Sequence, residues 1–229
     1  DYIMTAEPDI VPVQIVERSN PYGRVSRIVL PDSSRVWLNA MSTLSYPEQF
    51  DDNSRMVTLE GEAYVEVQPD ASRPFVIESG PVSTHVTGTS FNVKAYEEDG
   101  LVEITLKSGS VDVHSEEEGV TRSLQPDQKI AWKQQEGLGE VRSVVAEDVI
   151  SWIHHEFVFV RESFATIART FERWYGVEFI FEDRAIEEEQ FVYHFKDLSL
   201  ENSLRIMKQL ADFDFEISGR KVFVRASPE

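Results

Sequence analysis

The histidines are the first residues to test for chemistry, because a neutral imidazole is a common metal ligand and catalytic base. Residues 154–156 have the sequence His-His-Glu. Neighbours on an extended segment point to opposite faces, so these side chains cannot converge on one ion without a bulge. His85, His114 and His194 each stand alone in a strand pattern. We therefore predict surface or hydrogen-bonded histidines rather than a metal site.

Carboxylates form the second group that could do chemistry. Glu60, Glu62 and Glu66 share one face of a predicted strand, where a carboxylate pair could act on a glycosidic bond. A solvated polar face is the simpler interpretation, and a glycosidase is the weaker alternative, which hydrolysis assays would test. Acidic residues also occur in three runs, at 97–99, 116–118 and 187–189. Because these runs lack the spaced Asp/Asn and Gly pattern of a calcium loop, we predict that they are solvated loops.

Motifs that would mark an enzyme are missing from the sequence. It contains no GxSxG nucleophile elbow, no phosphate-binding GxxxxGK[ST] loop and no HExxH zinc motif. It also contains no cysteine, which excludes disulfides, thiolate zinc sites, iron-sulfur clusters and cysteine nucleophiles. We therefore predict that the protein is not an enzyme and holds no metal and no cofactor.

Aromatic residues suggest an alternative function. Five of them could form a sugar-binding platform if they shared an exposed face: Trp37, Tyr46, Tyr64, Tyr96 and Trp132. Strands also favour aromatic residues because these pack well on a pleated sheet, and this explanation is the simpler one. A secreted carbohydrate-binding β-sandwich protein is the alternative function, and titration with oligosaccharides would test it.

Composition excludes two classes of partner. The 229 residues include 41 acidic and 22 basic side chains, which gives a formal net charge of −19 at pH 7. Such a surface repels phosphate backbones and anionic lipids, so we expect no nucleic acid and no anionic membrane surface as a partner. The chain is 41% hydrophobic and 28% charged, which is typical of a globular protein. It contains no apolar run near the roughly 18 residues of a membrane helix.

Hydrophobic and polar residues alternate from about residue 24 to 133. The alternation recurs in short bursts such as 36–38 and 111–113, and turn sequences such as Ser79-Gly80-Pro81 separate them. A period of two predicts strands. We therefore predict an all-β unit, an antiparallel sandwich or solenoid-like stack, with no helix of three turns between residues 35 and 130.

The period changes after residue 148. An amphipathic helix is predicted that ends at Gly176 and buries one stripe of side chains: Phe164, Ile167, Ala168, Phe171 and Trp174. Strands at 157–160 and 177–181 flank it and complete one β-α-β unit.

The same pattern then recurs. A strand at 191–195 precedes a helix with Ser199 as its N-cap, whose apolar face is Leu200, Leu204, Met207 and Ala211. Strands at 213–217 and 221–225 follow. We therefore divide the chain into a linker with one edge strand at 1–20, an all-β domain at 21–147 and a small α+β domain at 148–229 built from two strand-helix-strand repeats.

Several motifs resemble those of a known family, the FecR-type sigma regulators. In order and spacing they are LPDSSRVWLNA at 30–40, GEAYVEV at 61–67, RPFV at 73–76, GTSFNVKAY at 88–96, GSV at 109–111 and LQP at 124–126. The stretch 152–224 is similar to the C-terminal domain that accompanies FecR in anti-sigma factors of the Bacteroidetes type. Its clearest marker is Trp174-Tyr175-Gly176-Val177.

The sequence departs from this pattern at three positions. Ser33 and Asp127 stand where the family has glycine, and Val65 replaces a phenylalanine. A positive φ in these turns would cost Ser33 and Asp127 more than glycine. The motif residues are expected to be structural, with Asn39 and Asn92 bonded to exposed backbone.

The resemblance implies a single-pass inner-membrane protein of which this chain is the periplasmic portion. Its cytoplasmic segment, absent from this chain, would hold an extracytoplasmic-function sigma factor. The periplasmic portion would bind the signalling domain of a TonB-dependent outer-membrane transporter, and a site protease would then release the sigma factor. From the resemblance we therefore expect three partners: the sigma factor, the signalling domain of the transporter and the site protease.

The predicted last strand is our candidate for partner binding. If it has an unpaired edge, the signalling domain could add a strand to it through residues Lys221, Val222, Phe223, Val224 and Arg225. Because the chain begins with Asp1 rather than Met, we also expect that an upstream segment has been removed. A membrane helix encoded upstream would favour the regulator, and a signal peptide would favour the sugar binder.

Overall fold

The structure, a computed structural model, describes residues 13–227. Strands joined by hydrogen bonds into one 14-stranded network make up the first unit. They are β1 (Ile15–Ser19), β2 (Ser26–Val29), β3 (Arg35–Leu38), β4 (Thr43–Pro47), β5 (Arg55–Glu66), β6 (Phe75–Ser79), β7 (Val82–Val86), β8 (Ser90–Ala95), β9 (Leu101–Ser108), β10 (Val111–Ser115), β11 (Val120–Leu124), β12 (Gln128–Lys133), β13 (Gly137–Leu138) and β14 (Arg142–Ser143). Within 35–130 the helical segment of the described chain is a single 3-10 turn, Glu97–Asp99.

Strand β5 joins the two halves of this network. Residues 55–60 pair with β4 and β6, whereas 61–66 pair with β3 and β8. Gly61 lies where the pairing changes, with φ +100°, and a Cβ added there would lie 2.3 Å from Ser42 Oγ. Only glycine fits this position. The prediction of an antiparallel all-β unit is confirmed, with one exception among the described strands, the parallel pair β5–β6.

The inner faces of the two halves enclose the first core. Alternate residues of the strands are buried there, among them Leu38, Phe75, Phe91 and Ile104, each fully inaccessible to solvent. Apolar burial of this kind stabilises a fold by roughly 25 cal/mol per Å².

Arg55 is a buried charge in the same unit. Its guanidinium donates to Asp32 Oδ2 at 2.8 Å, and to the carbonyl oxygens of Gln68 at 2.8 Å and Arg73 at 2.9 Å. These bonds compensate the cost of burying the charge and tie three loops together.

The turn residues adopt the backbone conformations that the family pattern requires. Ser33 has φ +71° and Asp127 has φ +60°, so both occupy the left-handed region in place of glycine. Asp127 gains a compensating contact, since its Oδ1 accepts a hydrogen bond from Ala146 N at 3.0 Å. The predicted linker falls mostly on residues 1–12, which lie outside the described residues, and residues 15–19 form an edge strand against β4.

The second unit follows a short helix, α1 (Ala146–Val149), and a 3-10 turn, Ser151–His154. Its elements are β15 (Glu156–Ser163), α2 (Phe164–Tyr175), β16 (Glu178–Phe181), α3 (Arg184–Glu188), β17 (Gln190–Lys196), α4 (Leu200–Met207), β18 (Phe213–Ser218) and β19 (Lys221–Ala226). The prediction of two strand-helix-strand repeats followed by a last strand is confirmed. The sequence patterns did not predict α3.

The predicted caps are present at both long helices. Gly176 ends α2 in the left-handed conformation, and its N–H donates to Glu172 O. The Ser199 hydroxyl caps α4 by accepting from Asn202 N, but the helix ends at Met207, so Ala211 lies beyond it. Ser163 caps α2 in the same way through Thr166 N.

Strand pairing in the second unit interleaves the two repeats. β15 pairs antiparallel with β17, while β19 lies between β16, to which it is parallel, and β18, to which it is antiparallel. The strands of one repeat therefore do not pair with each other, contrary to the simple β-α-β unit predicted. Phe164 of α2 contacts aromatic rings of both sheets, including Phe181 at 5.1 Å and Phe191 at 5.4 Å between centroids. The second core thus lies between the two sheets.

Candidate functional site: the interface and cleft between the two units

A buried polar network joins the two units. Trp152 Nε1 donates to Asn92 Oδ1 at 3.2 Å, and Asn92 Nδ2 donates to Glu62 Oε1 at 3.0 Å. Asn39 Nδ2 donates to the other oxygen, Glu62 Oε2, at 2.9 Å. The Glu62 carboxylate is thereby held by two amide donors, which is what a buried carboxylate needs.

This network corrects two expectations. Glu62 is buried under the second unit, so the interpretation as a solvated face holds for Glu60, which is exposed, and in part for Glu66, which is half-buried and paired with Arg35. The amide groups of Asn39 and Asn92 bond the Glu62 carboxylate rather than exposed backbone, except that Asn39 Oδ1 accepts from Ala40 N.

Arg173, near the end of α2, makes the second polar contact between the units. It donates to Asp99 Oδ1 at 2.5 Å and to Glu98 Oε1 at 3.0 Å, and its guanidinium lies 3.7 Å from the ring centroid of Tyr96. Burial alone would lower the pKa of Arg173, but the charge of Asp99 and the bond to it outweigh burial and raise the pKa. Burial also raises the pKa of Tyr96, which keeps its hydroxyl protonated and donating to Ala40 O at 2.8 Å.

Apolar contacts extend the same interface. Tyr64 of β5 belongs to the core of the second unit, and Trp37 packs beside it with ring centroids 5.5 Å apart. Because one core contains side chains from both units, separating the units would expose apolar surface as well as the polar network.

The segment between β1 and β2 also contacts the second unit. Gly23 N donates to Arg173 O at 3.0 Å, and a Cβ at Gly23 would lie 2.6 Å from Trp174 O. Arg220 lies over the Tyr22 ring at 5.2 Å and donates to Gly176 O at 2.7 Å. The C-terminal end of α2 is thus held on two sides.

Beside this interface lies an open cleft of about 230 Å³. The first unit supplies one wall, through β8, β9 and β12, and residues 148–152, β15 and α2 supply the other. Its charged lining is mostly acidic: Glu62, Asp99, Glu103, Asp148, Glu156 and Glu162, against Lys94, Lys129 and Arg169. The cleft therefore favours a cationic occupant.

The histidine pair adopts a different backbone from the one predicted. His154 ends a 3-10 turn and His155 has φ +59°, so the pair is not on an extended segment. His155 packs edge-on against Trp174, and His194 lies 3.4 Å from Glu156. Within residues 13–227, no group of three His, Asp or Glu side chains lies close enough to hold a metal ion.

The five aromatic residues considered as a sugar platform do not share an exposed face. Four of them are buried, namely Tyr46, Tyr64, Tyr96 and Trp132, and Trp37 packs against the second core. The platform interpretation is therefore wrong, because the rings are used for packing.

The last strand does not have the free edge that we predicted for partner binding. Lys221–Ala226 is the central strand of its sheet, bonded to β16 on one side and β18 on the other, and Val222 and Val224 are fully buried. Strand addition to residues 221–225 is therefore wrong as a mechanism. Contact of a partner with the exposed side chains of Lys221 and Arg225 stays a prediction.

Two residues at the centre of the interface were not predicted from sequence. Trp152 and Arg173 carry the inter-unit contacts, yet neither belongs to a chemical motif. No sequence signal pointed to Arg173, because it lies on the polar side of a strongly amphipathic helix, where an exposed side chain is expected, and it is nevertheless buried. Its acidic partner lies 74 residues away in the sequence, so the pairing itself could not be predicted.

Comparisons with known proteins agree with this architecture. The family model of the FecR protein matches residues 19–112, and the model of the FecR C-terminal region matches residues 156–224. No curated protein matches the sequence.

Two crystal structures of a protein assigned to the anti-sigma factors, from Parabacteroides distasonis ATCC 8503, superimpose with a TM-score of 0.88 at 26% identity. One covers 94% and the other 93% of this chain, and this chain covers 100% of each. The two family models lie on the two units that the interface joins, and the similar structures span both. The chain belongs to the FecR family of anti-sigma factors.

Proposed function

We propose that this chain is the signal-receiving periplasmic portion of an anti-sigma factor. In this proposal it binds the signalling domain of a TonB-dependent outer-membrane transporter, and the binding is relayed to an extracytoplasmic-function sigma factor. The observation that carries the proposal is that the second unit packs on the first unit beside an open acidic cleft. A partner in that cleft would touch both units at once.

The interface explains how binding could be relayed. Its polar contacts centre on three side chains, Trp152, Glu62 and Arg173. A partner that binds more tightly to one arrangement of the units than to another shifts their equilibrium by that difference in affinity. A site protease acting on the complete regulator would then recognise the changed arrangement of the two units.

The sigma factor is proposed to bind a segment outside this chain. None of the helices in residues 13–227 is both long enough and apolar enough to cross a membrane. Anchoring of the complete regulator in the inner membrane belongs to the proposal and rests on the family.

Calorimetric titration tests the proposal directly. Purified chain is titrated with the signalling domains of the TonB-dependent transporters encoded in the same genome. The expected result is micromolar binding to one of them, worth about 8 kcal/mol, as is usual for small transient contacts. The plug domain of the same transporter without its signalling domain is the control, and the free sigma factor should not bind this chain.

If no signalling domain binds, the proposed partner is wrong. Oligosaccharides are titrated in parallel, and saturable heat with a sugar would favour the carbohydrate-binding alternative instead.

A further inference from the structure

Strand β15 has a second edge that faces the cleft. It pairs with β17 alone among the described strands, in the register Glu156↔Lys196, Val158↔His194 and Val160↔Val192. Asp197 N donates to His155 O at 3.2 Å, which places that pair in the hydrogen-bonded class. Antiparallel pairs alternate between the two classes, so the main-chain groups of residues 156, 158 and 160 point away from β17.

Part of this edge is already covered, and the rest is open. Ser151 Oγ donates to Glu156 O at 3.1 Å, which covers the first residue. Within residues 13–227, no hydrogen bond is formed by the outward main-chain groups of Val158 and Val160. A bulge at Arg161, with φ +56°, then ends the regular edge. The open stretch therefore offers the main-chain N–H and C=O groups of two residues, Val158 and Val160, which is enough to pair with a short added strand.

The walls of the cleft determine what kind of segment fits this edge. Consecutive residues of β15, from Glu156 to Phe159, line it, so the strand presents its edge there rather than one face. Asp148 and Glu162 form no ion pair with other described residues, and neither does Lys94, whereas Lys129 and Arg169 already lie near Glu103 and Asp99. Two acidic side chains against one basic side chain leave the net uncompensated charge of the cleft negative.

We propose that the open edge of β15 binds an extended segment of the partner that carries Lys or Arg side chains. The segment adds a third strand to the β15–β17 sheet through the main chain of Val158 and Val160. Its basic side chains face Asp148 and Glu162. This inference rests on the proposed function for the identity of the partner, but not for the edge itself.

The other free edges of the second unit are less suited to this role. The outer edge of β17 carries the exposed side chains of His194 and Lys196 and lines no part of the cleft shared with the first unit. A strand added to β15 would instead contact residues of both units, including Glu103 and Thr170. No residue of β16, β17, β18 or β19 lines the cleft, so among the described strands of the second unit only β15 has an edge that can link partner binding to the arrangement of the units.

A matched pair of proline variants tests the edge. Val158 and His194 are opposite each other, and the N–H of each points to an outer edge, so proline removes an equivalent donor in each case. We expect Val158→Pro to weaken binding of the cognate signalling domain about tenfold or more, and His194→Pro to leave the affinity unchanged. Circular dichroism of both variants checks that the fold is retained.

Charge variants test the same site without proline. Glu162→Lys should weaken binding about three- to tenfold and reduce its salt dependence, since it removes attraction for a basic segment. Glu216→Lys is the control, because Glu216 is exposed on β18, away from the cleft. If the two substitutions weaken binding equally, the effect comes from the overall charge of the protein rather than from the cleft, and the inference is overturned.

A partner-independent measurement separates this inference from the proposed function. An eight-residue peptide of alternating Lys and Val is added to the chain, and amide hydrogen exchange is followed at residues 156–162. Protection there that an alternating Glu-Val peptide does not produce supports the edge, even if no signalling domain binds. If a signalling domain binds and neither Val158→Pro nor Glu162→Lys weakens that binding, the inference about the β15 edge is overturned and the proposed function is left intact. Absence of both peptide protection and domain binding overturns both.

Discussion

Removal of the Arg173 charge is the sharpest test of how the two units are held together. Arg173 and Asp99 are nearly buried, with side chains 9% and 10% exposed. Arg173→Met keeps most of the aliphatic packing over Tyr96 but leaves the Asp99 carboxylate without its main partner. We expect the variant to lose stability at the interface.

The magnitude follows from the burial of the pair. Removing one member of a buried ion pair costs about 3 to 5 kcal/mol, because the remaining charge stays buried and unpaired. Arg169 remains 3.6 Å from Asp99, but it is 41% exposed and compensates only partly. We therefore expect a loss of about 3 kcal/mol for Arg173→Met, about 2 kcal/mol for Asp99→Asn and less than the sum for the double variant.

Urea unfolding followed by tryptophan fluorescence and by circular dichroism measures these differences. Arg205→Met is the matched control, because Arg205 and Glu201 form an exposed pair on α4 with side chains 64% and 60% exposed. That substitution should cost less than about 0.5 kcal/mol. The wild type should unfold in one transition by both probes, since Tyr64 belongs to the core of the second unit.

Two results would refute this reasoning. A coupling energy between Arg173 and Asp99 below about 0.5 kcal/mol would mean that the pair contributes no more than a surface contact. A loss in Arg205→Met equal to that in Arg173→Met would show that burial does not determine the cost.

Three further predictions concern single positions. Ser33→Gly should raise the unfolding free energy by about 1 kcal/mol because φ is +71°, and Gly80→Ser, at φ +56° with open space around it, should lower it by a similar amount in the same urea assay. Gly61→Ala should cost more than about 3 kcal/mol, since the new Cβ would clash with Ser42, and a smaller loss in thermal unfolding would contradict the packing described. Hydrogen bonds from Ser72 and Arg73 lower the pKa of Asp70 to about 2 from 3.8, so its stabilisation is present above 3.8 and is lost as the pH falls through about 2. Asp70→Asn should therefore narrow the difference in urea midpoint between neutral and strongly acidic pH.

Sequence alone predicted the elements whose signals are local. The apolar stripe from Phe164 to Trp174 and the glycine at 176 determined α2, because helix periodicity and a left-handed C-cap depend only on near neighbours. The period of two likewise determined the strands of the first unit, and the motif order identified the family. These signals act within a few residues, so they can be predicted without knowledge of the fold.

Tertiary structure decided which strands are neighbours and which polar side chains are buried. The alternation in residues 221–225 predicts a strand but carries no information on whether one or both edges are paired, and both are. The period of two placed Glu62 on the same face as Glu60. In the structure Glu62 is buried and accepts from Asn39 and Asn92, with Trp152 bonded to Asn92, whereas Glu60 is exposed. The open edge of β15 arises in the same way. Strand pairing and burial depend on contacts between residues far apart in the chain, which local periodicity does not encode.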